Sequence, residues 1–168
     1  SMELSTILGT LDKLEKMHRS LYELALSKTN IIKSNEIEEL DRILKTEQAH
    51  VAAIETLEQQ RQVQVKQYLT NKGFSYTSTP TVAHLVEAAH EEPLLEQLKE
   101  QRERLLEVVD LLKAQNNLNQ KLVFQSLQFV NLSLNMMRPE QPEQVNYSDK
   151  EVFGQNTISK KSYFDSQA

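Results

Sequence analysis

Leu111 to Met137 reads LLKAQNNLNQKLVFQSLQFVNLSLNMM, and the period of its apolar residues decides the fold. At about 100° per residue, Val123, Leu127, Val130, Leu134 and Met137 line one side of a helix, and Leu122, Phe129, Leu132 and Met136 line a neighbouring side. The two rows span roughly 220°, where one core contact needs only ~100°. The surplus calls for a second partner. Either the helix is buried among others of its own domain or of an oligomer, or one side packs inward while the other holds a segment of another protein.

Moving outward, the same helix is expected to start near Pro93, with Leu94, Leu95, Leu98, Leu105, Val109 and Leu112 on its stripe. That makes it the longest element, about 65 Å at 1.5 Å per residue. Asn116 and Asn119 stand seven residues after Val109 and Leu112, where the heptad calls for apolar side chains. A buried asparagine there fixes register between helices; a drifting stripe would instead leave it at the margin, facing water. Pro139 and Pro142 stop the helix. From Arg138 to Ala168 the chain is polar and aperiodic, a tail that is flexible by itself or ordered by contacts.

The N-terminal half repeats the helical period twice. Ile7, Leu11, Leu14, His18, Leu21, Tyr22 and Ala25 form the stripe of a first helix from about Leu4 to Ile32. His18 within that stripe reads as a satisfied core imidazole with no further role. Asn35, three residues before Glu38, is the expected N-cap of a second helix reaching about Asn71. Leu40, Leu44, Val51, Ile54, Val65 and Leu69 carry its stripe, which Glu47, Glu58 and Arg61 interrupt or flank. Gly73 closes it. FSYTSTP, residues 74–80, is a connection, and Thr79-Pro80 predicts the start of a short helix over 81–90 with Val82, Leu85, Val86 and Ala89 on one face.

The expected fold is therefore all-α: an elongated antiparallel bundle or coiled coil of three long helices and one short helix over residues 2–137, followed by the polar tail. Four prolines and three glycines in 168 residues are too few for a turn-rich β fold. A net charge of −5 argues against nucleic acid as a partner. The absence of cysteine removes disulfides and thiolate chemistry. With no signal pattern and no apolar run of spanning length, the expected location is cytoplasmic, without a membrane span. Ser1 ahead of Met2 reads as an addition to the natural start.

One pattern resembles a metal centre. Glu47-Gln48-Ala49-His50 and Glu87-Ala88-Ala89-His90 both have the Glu-x-x-His spacing of di-iron four-helix bundles. A di-iron enzyme also needs both pairs deep in the bundle at one height, with a glutamate from each of two further helices, and His50 lies off its stripe. There is no glycine-rich phosphate loop, GxSxG elbow or HExxH helix. The expectation is no enzyme, no cofactor and no metal.

Leu112, Asn116, Asn119, Leu122, Val123, Ser126 and Leu127 together resemble the Leu-x-x-x-Asn-x-x-Asn-x-x-Leu-apolar helix of the FlgN family of bacterial flagellar export chaperones. The layout is similar too: two long helices, a short region near residue 80, a longer final helix and a polar tail. The resemblance implies a cytoplasmic chaperone without enzymatic activity. Such a chaperone binds the C-terminal segments of the two hook-filament junction proteins, keeps them unassembled and delivers them to the flagellar type III export gate. On that reading Leu122, Val123, Leu127, Phe129, Val130, Leu134 and Met137 contact a client helix, and Asn116 and Asn119 set its register. The pliant thioethers of Met136 and Met137 suit two related clients. The competing class is a homo-oligomeric coiled-coil scaffold in which the same helix closes on copies of itself as a concentration-independent oligomer, whereas the chaperone is expected to be a monomer or to self-associate weakly.

Overall fold

Three charged residues of the second helix lie where a coiled-coil seam should be apolar, and they organise the packing. The structure, a computed structural model, describes residues 2–76 and 78–137, and every regular element in them is a helix. These are α1 (Leu4–Ser34), α2 (Ile37–Asn71), α3 (Val82–Ala88) and α4 (Leu95–Met137). The tail expected from residue 138 lies outside the described residues.

The packing of α1 follows from its sequence. Leu4, Ile7, Leu11, Leu14, His18, Leu21, Ala25, Lys28 and Ile32 alternate steps of three and four, and all nine are buried. The imidazole of His18 is satisfied within the helix, Nδ1 lying 2.6 Å from the Leu14 carbonyl oxygen. This helix is the shared member: α2 packs on one flank and α4 on another. The partners of Thr10, Ser20 and Lys28 are Gln64 (2.7 Å), His50 (2.8 Å) and Glu47 (3.1 Å), so α2 runs antiparallel to α1. The partners of Glu15 and Thr29 are Gln101 (2.8 Å) and Gln115 (2.6 Å), so α4 runs parallel to α1. The order is up, down, up, with residues 72–94 making the return.

The seam of α2 corrects the sequence reading. Leu40, Leu44, Glu47, Val51, Ile54, Glu58, Arg61, Val65 and Tyr68 form one unbroken four-three repeat, so Glu47, Glu58 and Arg61 belong to it. All three are buried. Arg61 donates through Nε (2.8 Å) and Nη2 (2.5 Å) to the two carboxylate oxygens of Glu58, while Lys28 of α1 pairs with Glu47. Charge in a seam is tolerable only when paired, and here the pairing is local in one case and interhelical in the other.

Helix ends supply the remaining corrections. Asn35 does not start α2. It closes α1 in the left-handed region at φ 57, with the Glu36 amide bonded to the Ile31 carbonyl and the Asn35 amide to that of Ile32. Asparagine tolerates that conformation, and α2 opens after Glu36 with Glu38 and Glu39 in its first turn. Gly73, at φ 87, closes α2 as expected, the Phe74 amide reaching the Leu69 carbonyl at 2.9 Å. The cap of α3 is Thr81 and not Thr79: its hydroxyl accepts from the His84 amide, and its own amide donates to His84 Nδ1. An imidazole here does the work that glutamate or glutamine does in the usual capping box. The short helix ends at Ala88, and Pro93 precedes α4 by a turn.

The Glu58–Arg61 pair gives a direct test. Arg61→Met strands a buried carboxylate and should cost ~3–5 kcal/mol in urea unfolding, whereas the double change with Glu58→Leu should recover most or all of it. Glu15 gives a second. Burial opposes its ionisation, but hydrogen bonds from Arg19, Gln101 and Arg104 outweigh that and hold its carboxyl below the ordinary 4.5. Its stabilisation is therefore present above about pH 4.5 and lost as pH falls through the lowered value. Glu15→Gln should flatten the acid limb of the stability profile relative to the parent chain.

Candidate functional site

The site is built by a mismatch in length. At 1.5 Å per residue the 31 residues of α1 make about 46 Å and the 43 residues of α4 about 65 Å. Because the two run parallel and Thr29 meets Asn119, the end of α1 at Ser34 corresponds to about Phe124 in α4. The remaining turns, about 20 Å, extend past the bundle.

The burial of α4 follows this geometry. Leu98, Gln101, Leu105, Val108, Val109 and Leu112 are buried against the bundle. Leu122, Val123 and Ser126 are half-buried. Leu127, Leu132 and Leu134 are exposed, and Met136 and Met137 are 73% and 80% exposed. Of the expected contact residues, Leu122 and Val123 thus sit at the exit from the bundle, and Leu127, Leu134 and Met137 on the projecting part. Phe129 and Val130 occupy the projecting helix, but their side chains fall outside the described residues. Among the described residues the projecting part of the helix has no covering helix, and Leu111 to Met137 holds two lysines and not one carboxylate.

Asn116 and Asn119 lie elsewhere. Both are buried in the bundle, Asn119 at 2% exposure and bonded to α1. The Asn119 Nδ2 donates to the Ala25 carbonyl at 2.9 Å, and the Thr29 hydroxyl donates to its Oδ1 at 2.5 Å. Gln115 donates to the Thr29 hydroxyl oxygen at 2.6 Å. This polar clasp is the last deep contact before α4 leaves α1. Asn116, one turn earlier, has neither amide atom hydrogen-bonded among the described residues.

The Glu-x-x-His pairs do not converge. Glu47 is held by Lys28; His50 is bonded through Nδ1 to the Thr46 carbonyl (2.9 Å), which leaves Nε2 to accept from the Ser20 hydroxyl. Glu87 and His90 are exposed beside α3. Among the described residues no three histidines, aspartates or glutamates approach closely enough to hold a metal. At the opposite end of the bundle Tyr68 donates to Glu92 at 2.8 Å, and Lys72 lies 3.3 Å from the same carboxylate. These contacts lower the Glu92 pKa, the Tyr68 hydrogen bond foremost, while burial and that carboxylate raise the Tyr68 pKa. They tie the return segment to α2 beside a cleft that Met2, Leu4, Asn71 and Leu94 also line.

The family model described as FlgN protein matches residues 2–151, so it covers all four helices and the projecting end of α4. The chain belongs to the FlgN family. A curated relative, the uncharacterized protein YvyG of Bacillus subtilis (strain 168), is 31% identical over 167 residues, 99% of this chain and 100% of the relative. No solved structure matches. FlgN membership associates the chain with flagellar assembly in a chaperone role. None of the helices found here is long and apolar enough to cross a membrane among the described residues.

The clasp predicts opposite effects at neighbouring asparagines. Asn116→Leu removes a buried amide without partners and should stabilise the chain by about 1 kcal/mol or more in thermal or urea unfolding. Asn119→Leu removes the two interhelical bonds made by its amide, while the Thr29 hydroxyl keeps Ala25 and Gln115 as partners, and should cost ~1 kcal/mol in the same measurement.

Proposed function

We propose that this chain is a cytoplasmic flagellar type III export chaperone that binds the C-terminal helices of the hook-filament junction proteins. It prevents their premature assembly and presents them to the export gate. The observation that supports this reading is the apolar end of α4, held out past α1 and without a covering helix among the described residues. A binding surface made of one projecting helix pairs with another amphipathic helix, burying apolar rows from both. Junction-protein termini that pack as helices only after assembly expose such rows beforehand, and a chaperone that covers them suppresses self-association.

The contacts of this reading are those the sequence points to. Leu122 and Val123 anchor the client where α4 leaves the bundle; Leu127, Phe129, Val130, Leu134 and Met137 extend the contact outward. Asn116 and Asn119 act from inside the bundle by fixing the direction in which the helix projects. The two terminal methionines can repack against clients that differ in shape. No catalytic residue, cofactor or metal enters this mechanism.

The test is calorimetric titration of the full chain with the C-terminal helical fragment of each junction protein. Saturable binding with a negative heat-capacity change is expected. Leu127→Asp combined with Leu134→Asp should weaken it at least ~100-fold, since two charges would be buried in an apolar contact, with helical circular dichroism unchanged. Unaltered affinity in the double variant would move the site off α4. A stable oligomer that binds neither fragment would establish the scaffold reading in its place.

A further inference from the structure

The apolar core stops before the bundle does. Its contiguous cluster ends at Ala25 on α1, Val51 on α2 and Leu112 on α4. Past that level, in residues 26–50 and 113–124, Ile32 is the one buried apolar side chain among the described residues. The other buried groups there are Lys28, Thr29, Glu47, Asn116 and Asn119. We propose that this tip of the bundle, residues 26–50 with the turn at Asn35, melts off α4 as a unit while the remainder stays folded, and that its opening admits the client to the foot of the projecting helix. The second half of that statement rests on the client reading of α4.

Three features make the tip weaker than the rest. Its deep contacts are polar, and each such contact returns less on folding than a buried leucine does. Lys28 and Glu47, 3.1 Å apart, form a buried ion pair whose attraction is largely offset by desolvation. The Asn116 side chain, 5% exposed, has neither amide atom hydrogen-bonded among the described residues, so closing the tip over it costs the desolvation of both atoms. Once that packing is lost, little else holds the two pieces helical. The segments 26–34 and 37–50 are below, or barely at, the ~12–15 residues at which isolated helices become marginal in water. Detachment and melting therefore go together.

The tip lies over the place where α4 leaves the bundle. By the register that sets Thr29 against Asn119, Ile32 stands beside Leu122. Leu122 and Val123 are half-buried while the tip is closed. When it melts that cover goes, and the apolar surface of α4 is open without a break from Leu122 to Met137. A client that contacts the whole of it selects the open form, and its apparent affinity is reduced by the fraction of chains that are open. Between clients the closed tip covers the anchor.

The experiment is native-state hydrogen exchange in low urea on the full chain, free of client. Amides of Asn30 to Ser34 and Leu40 to His50 should share one protection factor, at least ~100-fold below that of Ile7 to Leu21. Ile7→Val, in the apolar half, should speed exchange of Ile7 to Leu21 by about 3–10-fold and leave the tip unchanged. Asn116→Leu should slow exchange in the tip about 5-fold. A single protection factor throughout, an Ile7→Val effect equal in both groups, or protection that falls residue by residue toward Asn35 as in simple fraying would overturn the opening. Loading is read separately, by titrating the parent chain and Asn116→Leu with the C-terminal fragments of the junction proteins. The variant should bind about 5-fold more weakly, because its open fraction falls by that factor. Equal affinity would overturn the role in loading. If the parent chain binds neither fragment the client reading fails, and the exchange pattern still decides whether the tip opens.

Discussion

Everything in this molecule depends on the sharing of one helix. Each of the nine seam positions of α1, from Leu4 to Ile32, is buried, and both other long helices take their apolar cover from it. A helix that serves two partners fixes their lengths of contact, since neither can stay buried beyond its ends. The α2 helix doubles back at Asn35 and, at 35 residues against 31, overruns it by only about a turn. With 43 residues and a parallel course, α4 overruns it much further, and its last turns leave the bundle. The exposed apolar surface is thus a consequence of chain length and direction, and needs no special geometry at the site itself.

Parallel packing of α1 and α4 also requires that register be set by something other than a tight turn, because the two helices are joined only through α2 and α3. Polar layers do this. Glu15 meets Gln101 and Arg104, and Thr29 meets Gln115 and Asn119, each pair separated by a similar offset along the chain. A shift of α4 by one heptad would break all of these interhelical bonds. Buried polar contacts therefore discriminate between alignments that apolar packing alone leaves nearly equal.

Much of this was legible in the sequence. The three long helices, the stripe of α1, the glycine end of α2 and the width of the apolar arc on α4 all follow from period and capping chemistry. The misses have physical causes. Glu47, Glu58 and Arg61 looked like breaks in the α2 stripe because a charge in a seam is readable as interior only once its partner is known, and the Glu47 partner, Lys28, lies on another helix. Asn35 and Thr79 carried valid start signals, but asparagine is equally suited to a left-handed helix end, and Thr81 lies two residues further on with an imidazole as its capping partner. Asn116 and Asn119 stand out by their heptad positions and are buried in the bundle, yet period alone cannot say whether the helix across the seam belongs to the same chain. The answer needed the parallel register of α1, which places Ala25 and Thr29 opposite them.

The projecting helix has an energetic character suited to reversible capture. Past the bundle it retains its own hydrogen bonds but no continuous tertiary cover, and about nine or ten isolated residues beyond Leu127 are short of the ~12–15 at which helices become even marginally stable in water. Any partner that packs there must stabilise the helix as well as bury its side chains, so part of the gross interaction energy goes into ordering and only the remainder appears as affinity. A fully pre-formed groove would bind more tightly and release more slowly. Unlike such a groove, a helix stabilised at one end by the Thr29–Asn119 clasp and loosening toward Met137 lets a client be peeled away from its free end.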